Sequence, residues 1–157
     1  MLYLPRLLVL AKGSAEGLTP LTAFDYALRV GGVDNLNLMR VSSIMPKDAR
    51  FGDKPDLPVG TLVPTVYTHI TSNVPGEIIS AVIGAGKGPE GGVLMEYHHR
   101  GRADDAEEVV AKMIDEGVNR RGWQLEETRF ATAEHKVDRL GCACAAVLLL
   151  DSIPLDR

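Results

Sequence analysis

Residues Asn35–Pro46 read NLNLMRVSSIMP. Leu36, Leu38 and Arg40 alternate with Asn37, Met39 and Val41, the period-two pattern of a half-buried strand. Two adjacent serines, Ser42 and Ser43, come next, followed by Ile44, Met45 and Pro46. Proline keeps Met45 out of the helical region and has no N–H for a ladder. Strand pairing is therefore expected to stop within a residue or two of the serines, and the backbone to turn there.

Toward the N-terminus, Leu7 to Ala11 reads as a first strand that enters a loop from Lys12 to Leu18. Thr19 and Pro20 form an N-cap and a first helical proline. Leu21, Phe24 and Leu28 then recur at helical spacing until Gly31 and Gly32. Toward the C-terminus, Lys47 to Gly60 carries breakers and reads as a surface loop. Thr61 to Ser72 reads as a long strand, with Pro64 marking an edge position or a bulge. Glu77 to Ala85 forms another strand, Gly84 to Gly92 a flexible turn, and Gly92 to His98 the strand containing Glu96. The glycine turn lacks a GK[ST] ending and leads into a strand, which argues against a phosphate loop.

Ala103 to Arg121 predicts a helix with Ala106, Val109, Val110, Met113, Ile114 and Val118 on one face. Its acidic start and basic end suit the helix dipole. Trp123 to Asp138 and Gly141 to Leu150 read as two final strands, the second apolar on both faces and so central in its sheet. Two helices and about six strands, joined mostly by turns, make an α+β chain. Two sheets face to face with a helix outside each would bury all these faces.

The chain has 157 residues, enough for one domain (1–157) with a substantial core. Apolar residues are 45% and charged residues 24%, and the formal net charge is −4. That balance argues against nucleic-acid or anionic-membrane partners and mildly favours a cationic ligand. The opening MLYLPRLLVLAKGS has an apolar run broken by Pro5 and Arg6, neither a signal peptide nor a span, so a cytoplasmic location is expected. Cys142 and Cys144 read as small apolar residues of a buried strand, not as a disulfide framework or a zinc site.

A Ser-Ser bond at a forced turn has a chemical option. The Ser43 hydroxyl can attack the Ser42 carbonyl through a five-membered ring, converting amide to ester. Elimination and hydrolysis then leave Ser42 as a new C-terminus and a pyruvoyl group in place of Ser43. A strand running into a polar turn would show the same two residues.

The run GLTPLTAFDYALRVGGVDNLNLMRVSSIMP (Gly17–Pro46), followed by LPVGTLVPTVY, VPGEIISA, LMEY, RGW and EHKVDRLGCA, resembles the pyruvoyl-dependent arginine decarboxylases over nearly the whole chain. The resemblance implies a four-layer αββα sandwich, cleaved into fragments 1–42 and 43–157 and assembled as a trimer with sites at the interfaces. It also implies a covalent pyruvoyl cofactor made from Ser43, with no pyridoxal phosphate and no metal. That ketone forms a Schiff base with the amine of L-arginine and accepts electrons as CO2 leaves, giving agmatine.

By the same resemblance Glu96 protonates the carbanion, and an apolar setting would keep its proton on near neutrality. Asp25 grips the guanidinium, while Leu28 and Ile44 line the substrate, and Asn37 orients it or assists cleavage. Each has a plainer reading: Glu96 as a solvated strand residue and Asp25 as an i,i+4 partner of Arg29. Glu96 and His98 share a strand face, but E-x-H lacks a third metal ligand. The tandem His98 and His99 mark where the surroundings of the acid can differ from its relatives. Two other functions stay open at this level: decarboxylation of another amino acid, and an uncleaved, non-enzymatic trimeric binding protein.

Overall fold

The computed structural model describes residues 3–151. In chain order its elements are β1 (Leu7–Glu16), α1 (Pro20–Val30), β2 (Asn37–Arg40), β3 (Ile44–Met45), β4 (Arg50–Phe51) and β5 (Leu62–Ser72). They continue with β6 (Ile78–Lys87), β7 (Gly92–Arg100), α2 (Ala103–Arg120), β8 (Glu127–Lys136) and β9 (Gly141–Leu150). A five-stranded sheet has the order β2-β5-β9-β1-β4, and a four-stranded sheet the order β3-β7-β6-β8. The second sheet is antiparallel throughout. The first is antiparallel at its centre, with β2 and β4 added parallel at its edges.

The αββα order follows from where each apolar face goes. Leu8, Val66, Ile79, Ile83, Leu94, Ala145 and Val147 meet between the sheets. Ala23 and Ala27 of α1 pack on Cys142 and Cys144 outside the first sheet, and Val110, Ile114 and Val118 of α2 pack on Val82 and Val93 outside the second. Each large apolar side chain withdrawn from water contributes about 1.5–3 kcal/mol. Strand β9 lies at the centre of its sheet with all ten residues buried, as its two-sided apolarity required. Burial pushes both cysteine thiols up to about 12, so they behave as inert core residues.

Several boundaries differ from expectation for one physical reason, the close approach of a helix. Strand β1 continues to Glu16 through the segment read as a loop. A Cβ on Gly13 would lie 2.0 Å from the Ala27 carbonyl oxygen of α1, so the glycine is there for contact. Gly84 and Gly86, read as part of a turn, lie inside β6, where a Cβ on Gly86 would meet Ile114 of α2 at 2.3 Å. The turn itself is confined to 88–91.

The Lys47–Gly60 loop holds β4 and a fully buried Ala49. Val109 of α2 is exposed, and the penultimate strand begins at Glu127 instead of Trp123. Pro64 is not at a sheet edge, since β5 lies between β2 and β9 and Pro64 sits opposite Met39 of β2; it stands one residue before the β9 ladder starts at Thr65, so no bond to β9 needs its missing N–H. The described residues thus form nine strands where about six were expected, the unforeseen ones being β3, from division of the Asn35–Pro46 stretch between the two sheets, and β4 in the segment read as a loop.

Two carboxylates do structural work by accepting from backbone N–H groups. Glu134 accepts from Ala103 N at 2.7 Å, supplying the cap that Arg102 does not give to α2. Glu16 accepts from the N–H groups of Asp138, Arg139 and Leu140 at 2.8–3.0 Å and bonds His135 Nε2 at 2.6 Å. Burial alone would push Glu16 upward, but the His135 bond and these three amides hold it at about 2. Its folded value lies below its unfolded one, so its stabilisation is complete above about pH 4.5 and is lost as pH falls toward 2. Glu16→Gln should lower stability by about 1–3 kcal/mol at pH 7, with the difference from wild type shrinking over that acid window in urea titrations. An equal deficit at pH 7 and pH 2.5 would contradict the assignment.

Candidate active site

Strand β2 ends at Arg40 and β3 begins at Ile44, each at an edge of a different sheet. Val41 N donates to Thr65 O at 3.2 Å, in the five-stranded sheet. Leu94 N donates to Ser43 O at 2.9 Å, in the four-stranded sheet. The Ser42–Ser43 peptide bond is therefore the link where the chain leaves one sheet and joins the other. Ser42 is exposed and Ser43 half-buried. The pairing does not simply end near the serines, as the sequence pattern suggested; it resumes on a new partner.

The β3–β7 register, with Ile44 opposite Val93 and Met45 opposite Gly92, carries Ser43 opposite Leu94. Two residues along β7, on the same face, is Glu96. Leu94 points into the core between the sheets, so Glu96 sits where that core opens. Beside it is a cleft of about 390 Å³ lined by Arg40, Thr68, His69, Glu96, Tyr97 and His98.

Burial raises Glu96 above the ordinary carboxylate range, and the Arg40 guanidinium, 3.5 Å away, pulls it partly back. Arg40 is itself held 4.3 Å above the Tyr67 ring. Phe24 of α1 stacks on His69 at 4.1 Å. His69 is held below the usual imidazole range by burial first, then by His98 and Arg40. Thr68 Oγ1 lies 2.7 Å from His98 Nδ1.

Of the residues singled out from sequence, Ser43 and Glu96 are brought to nearby register positions, Ser43 opposite Leu94 and Glu96 two residues on, although neither serine lines the cleft. The others do not join them within one chain. Asp25 is exposed on α1 and forms no ion pair with Arg29 among the described residues. Leu28 is half-buried against the core beneath α1, and Ile44 is 46% exposed. Asn37 Nδ2 donates to Gly60 O at 2.9 Å, which explains an asparagine at the head of a strand. It precedes Ser43 by six positions, up to roughly 20 Å of extended chain.

Arg40, Thr68 and His69 were visible in the sequence only as strand alternation. His69 lay on the Val63, Thr65 and Tyr67 face of β5, but Thr68 shares its face with the apolar Val66 and Ile70, so no local signal pointed to it. Among the described residues no three His, Cys, Asp or Glu side chains are placed to hold a metal ion, so the Glu96/His98 pair gains no third ligand.

A family model described as pyruvoyl-dependent arginine decarboxylase matches residues 7–154. The chain belongs to this family. Pyruvoyl-dependent arginine decarboxylases of Methanocaldococcus jannaschii, Thermococcus sibiricus and Pyrococcus furiosus are 46%, 44% and 43% identical to it. Those alignments cover 92–93% of this chain and 90–96% of the relatives.

The residues present fit the family's pyruvoyl cofactor. A pyruvoyl group made from Ser43 keeps that residue's own carbonyl, and this is the oxygen that accepts from Leu94 N–H. Ile44 and Met45, the next two residues, pair with the same strand and would fix the group in that register. For a pyruvoyl-dependent decarboxylase the remaining need is a proton donor, and Glu96 is the raised carboxyl on that strand.

Proposed function

We propose that the chain cleaves itself between Ser42 and Ser43 and converts L-arginine to agmatine and CO2. The observation that carries this reading is the sheet-to-sheet crossing at the serine pair, beside a carboxyl whose pKa is raised. Ser43 Oγ attacks the Ser42 carbonyl carbon and the C–N bond breaks, leaving an ester and a free amine. Loss of the Ser43 Cα proton and cleavage of its Cβ–O bond release Ser42 as a carboxylate and leave a dehydroalanine, which water converts to the ketone with loss of ammonia. Each side of the broken bond stays hydrogen-bonded in its own sheet, so cleavage removes no ladder bond.

The pyruvoyl carbonyl supplies the electron sink for decarboxylation. Glu96, whose proton burial helps to hold, delivers that proton to the substrate Cα after CO2 departs. Arg40 limits how tightly that proton is held. Asp25 takes the guanidinium in a bidentate grip, and Leu28 and Ile44 contact the aliphatic part of the substrate. Exposed Asp25 and Asn37 serve the site of a neighbouring copy in a trimer. Two open sheet edges, β2 and β3, and the exposed Leu18, Leu21, Met39, Ile44 and Leu62 support such an assembly. A cytoplasmic location agrees with the absence, among the described residues, of a helix long and apolar enough to cross a membrane.

The direct test is to supply arginine to fully cleaved protein and measure agmatine and CO2; no product would refute the reading. Asp25→Asn should leave cleavage intact and lower kcat/KM for arginine roughly 30-fold, the loss of about 2 kcal/mol from one charge-assisted pair. Equal loss for an uncharged substrate analogue would remove Asp25 from guanidinium recognition.

A further inference from the structure

Decarboxylation replaces the bond to CO2 by a C–H bond and consumes one proton per turnover. If Glu96 provides that proton, as proposed above, it is left as a carboxylate that must be reloaded before the next substrate reacts. Glu96 is partly withdrawn from water, so the route by which a proton reaches it is a property of the cleft wall. His98 is two residues along β7, on the same face, and is exposed. Its ring is oriented by Thr68, whose hydroxyl lies 2.7 Å from Nδ1, and Nε2 has no hydrogen-bond partner among the described residues.

We infer that His98 is the proton-return residue of this enzyme, passing a proton from solvent to the Glu96 carboxylate after each decarboxylation. The imidazolium gives up one proton, Glu96 becomes a neutral carboxyl, and the imidazole reloads from water, so charge and atoms balance. Histidine is suited to this because it loads and unloads near neutrality. The charged and titratable groups facing it are Arg40 from β2, His69 from β5, and Glu96 and Arg100 on its own strand, Arg100 being paired with Glu77 at 3.3 Å. Arg40 acts both ways, opposing reloading of the Glu96 carboxylate it faces at 3.5 Å while making a nearby imidazolium the readier donor.

The inference rests on Glu96 as the acid, and the experiment separates the two. With cleaved sites in excess of arginine, His98→Asn should form agmatine at the wild-type rate, because Glu96 begins protonated. With arginine in excess, turnover should fall about tenfold, less than the roughly hundredfold contribution of a fully fixed donor because water reaches the exposed ring. Imidazole buffer should restore it. An unchanged steady-state rate, or an equal fall in the single turnover, would overturn the assignment. Glu96→Gln losing both regimes supports the acid, whereas a normal single turnover in that variant would sink the acid itself.

A readout independent of catalysis uses the uncleaved Ser43→Ala chain. By NMR the His98 ring resonances should shift when Glu96→Gln removes the carboxylate, since the two side chains stand two residues apart on one strand face. No movement would show that the two groups are not coupled.

Discussion

Ser43→Ala is expected to give one intact chain of about 17.0 kDa by denaturing mass spectrometry, where the wild-type protein gives two fragments divided between Ser42 and Ser43. The variant removes the only hydroxyl that can reach the Ser42 carbonyl through a five-membered ring. It leaves the fold alone, because the structure holds Ser43 through its backbone carbonyl and the substitution lies at a half-exposed position. Decarboxylation should vanish with it, since no ketone forms.

The same experiment under native conditions should show both wild-type fragments travelling together. Fragment 1–42 contributes β1, which pairs with β9 from Leu7 to Glu16, and β2, which pairs with β5. Fragmentation of Ser43→Ala at the same bond would exclude the Ser43 nucleophile. A single uncleaved wild-type chain after long incubation would leave the protein without an electron sink and turn the reading toward a binding role.

Glu96→Gln should cleave normally yet lose kcat by about 10²- to 10⁴-fold, the usual contribution of a positioned proton donor. Its pH dependence follows from the direction of its shift. Burial is the larger cause and raises the group; Arg40 lowers it. The active form is the neutral acid, so wild-type kcat should fall as pH rises through the raised value. Arg40→Met removes the opposing charge, so that alkaline limb should move to higher pH.

Stability has a matching sign. A carboxyl that binds its proton more tightly folded than unfolded loses its contribution as pH rises through the folded value. Glu96→Gln should therefore be at least as stable as wild type above that pH. A pH–rate profile unchanged in both Glu96→Gln and Arg40→Met would contradict the role given to each.

Much of the sandwich is legible in the sequence alone. The 3.6-residue spacing of α2 and the two-sided apolarity of Gly141–Leu150 correctly indicated an outer helix and a central strand, because burial on one face or two leaves a direct compositional mark. The boundaries at Gly13, Gly84 and Gly86 could not be read, since a glycine required by a helix 14 or more residues away in sequence looks locally like one required by a turn.

The site divides the same way. The covalent possibilities of two adjacent serines and the carboxyl of Glu96 are properties of residue types, and the sequence order alone carried them. Which sheet the backbone joins after the serine pair, and that Glu96 stands two residues from the amide holding the Ser43 carbonyl, depend on the β3–β7 register. So do the partial burial that raises Glu96 and the meeting of Arg40, Thr68, His69 and His98 around it, drawn from three strands in two sheets. Pairing across long loops is chosen by the total burial of both sheets, a sum over the whole chain that no local pattern contains.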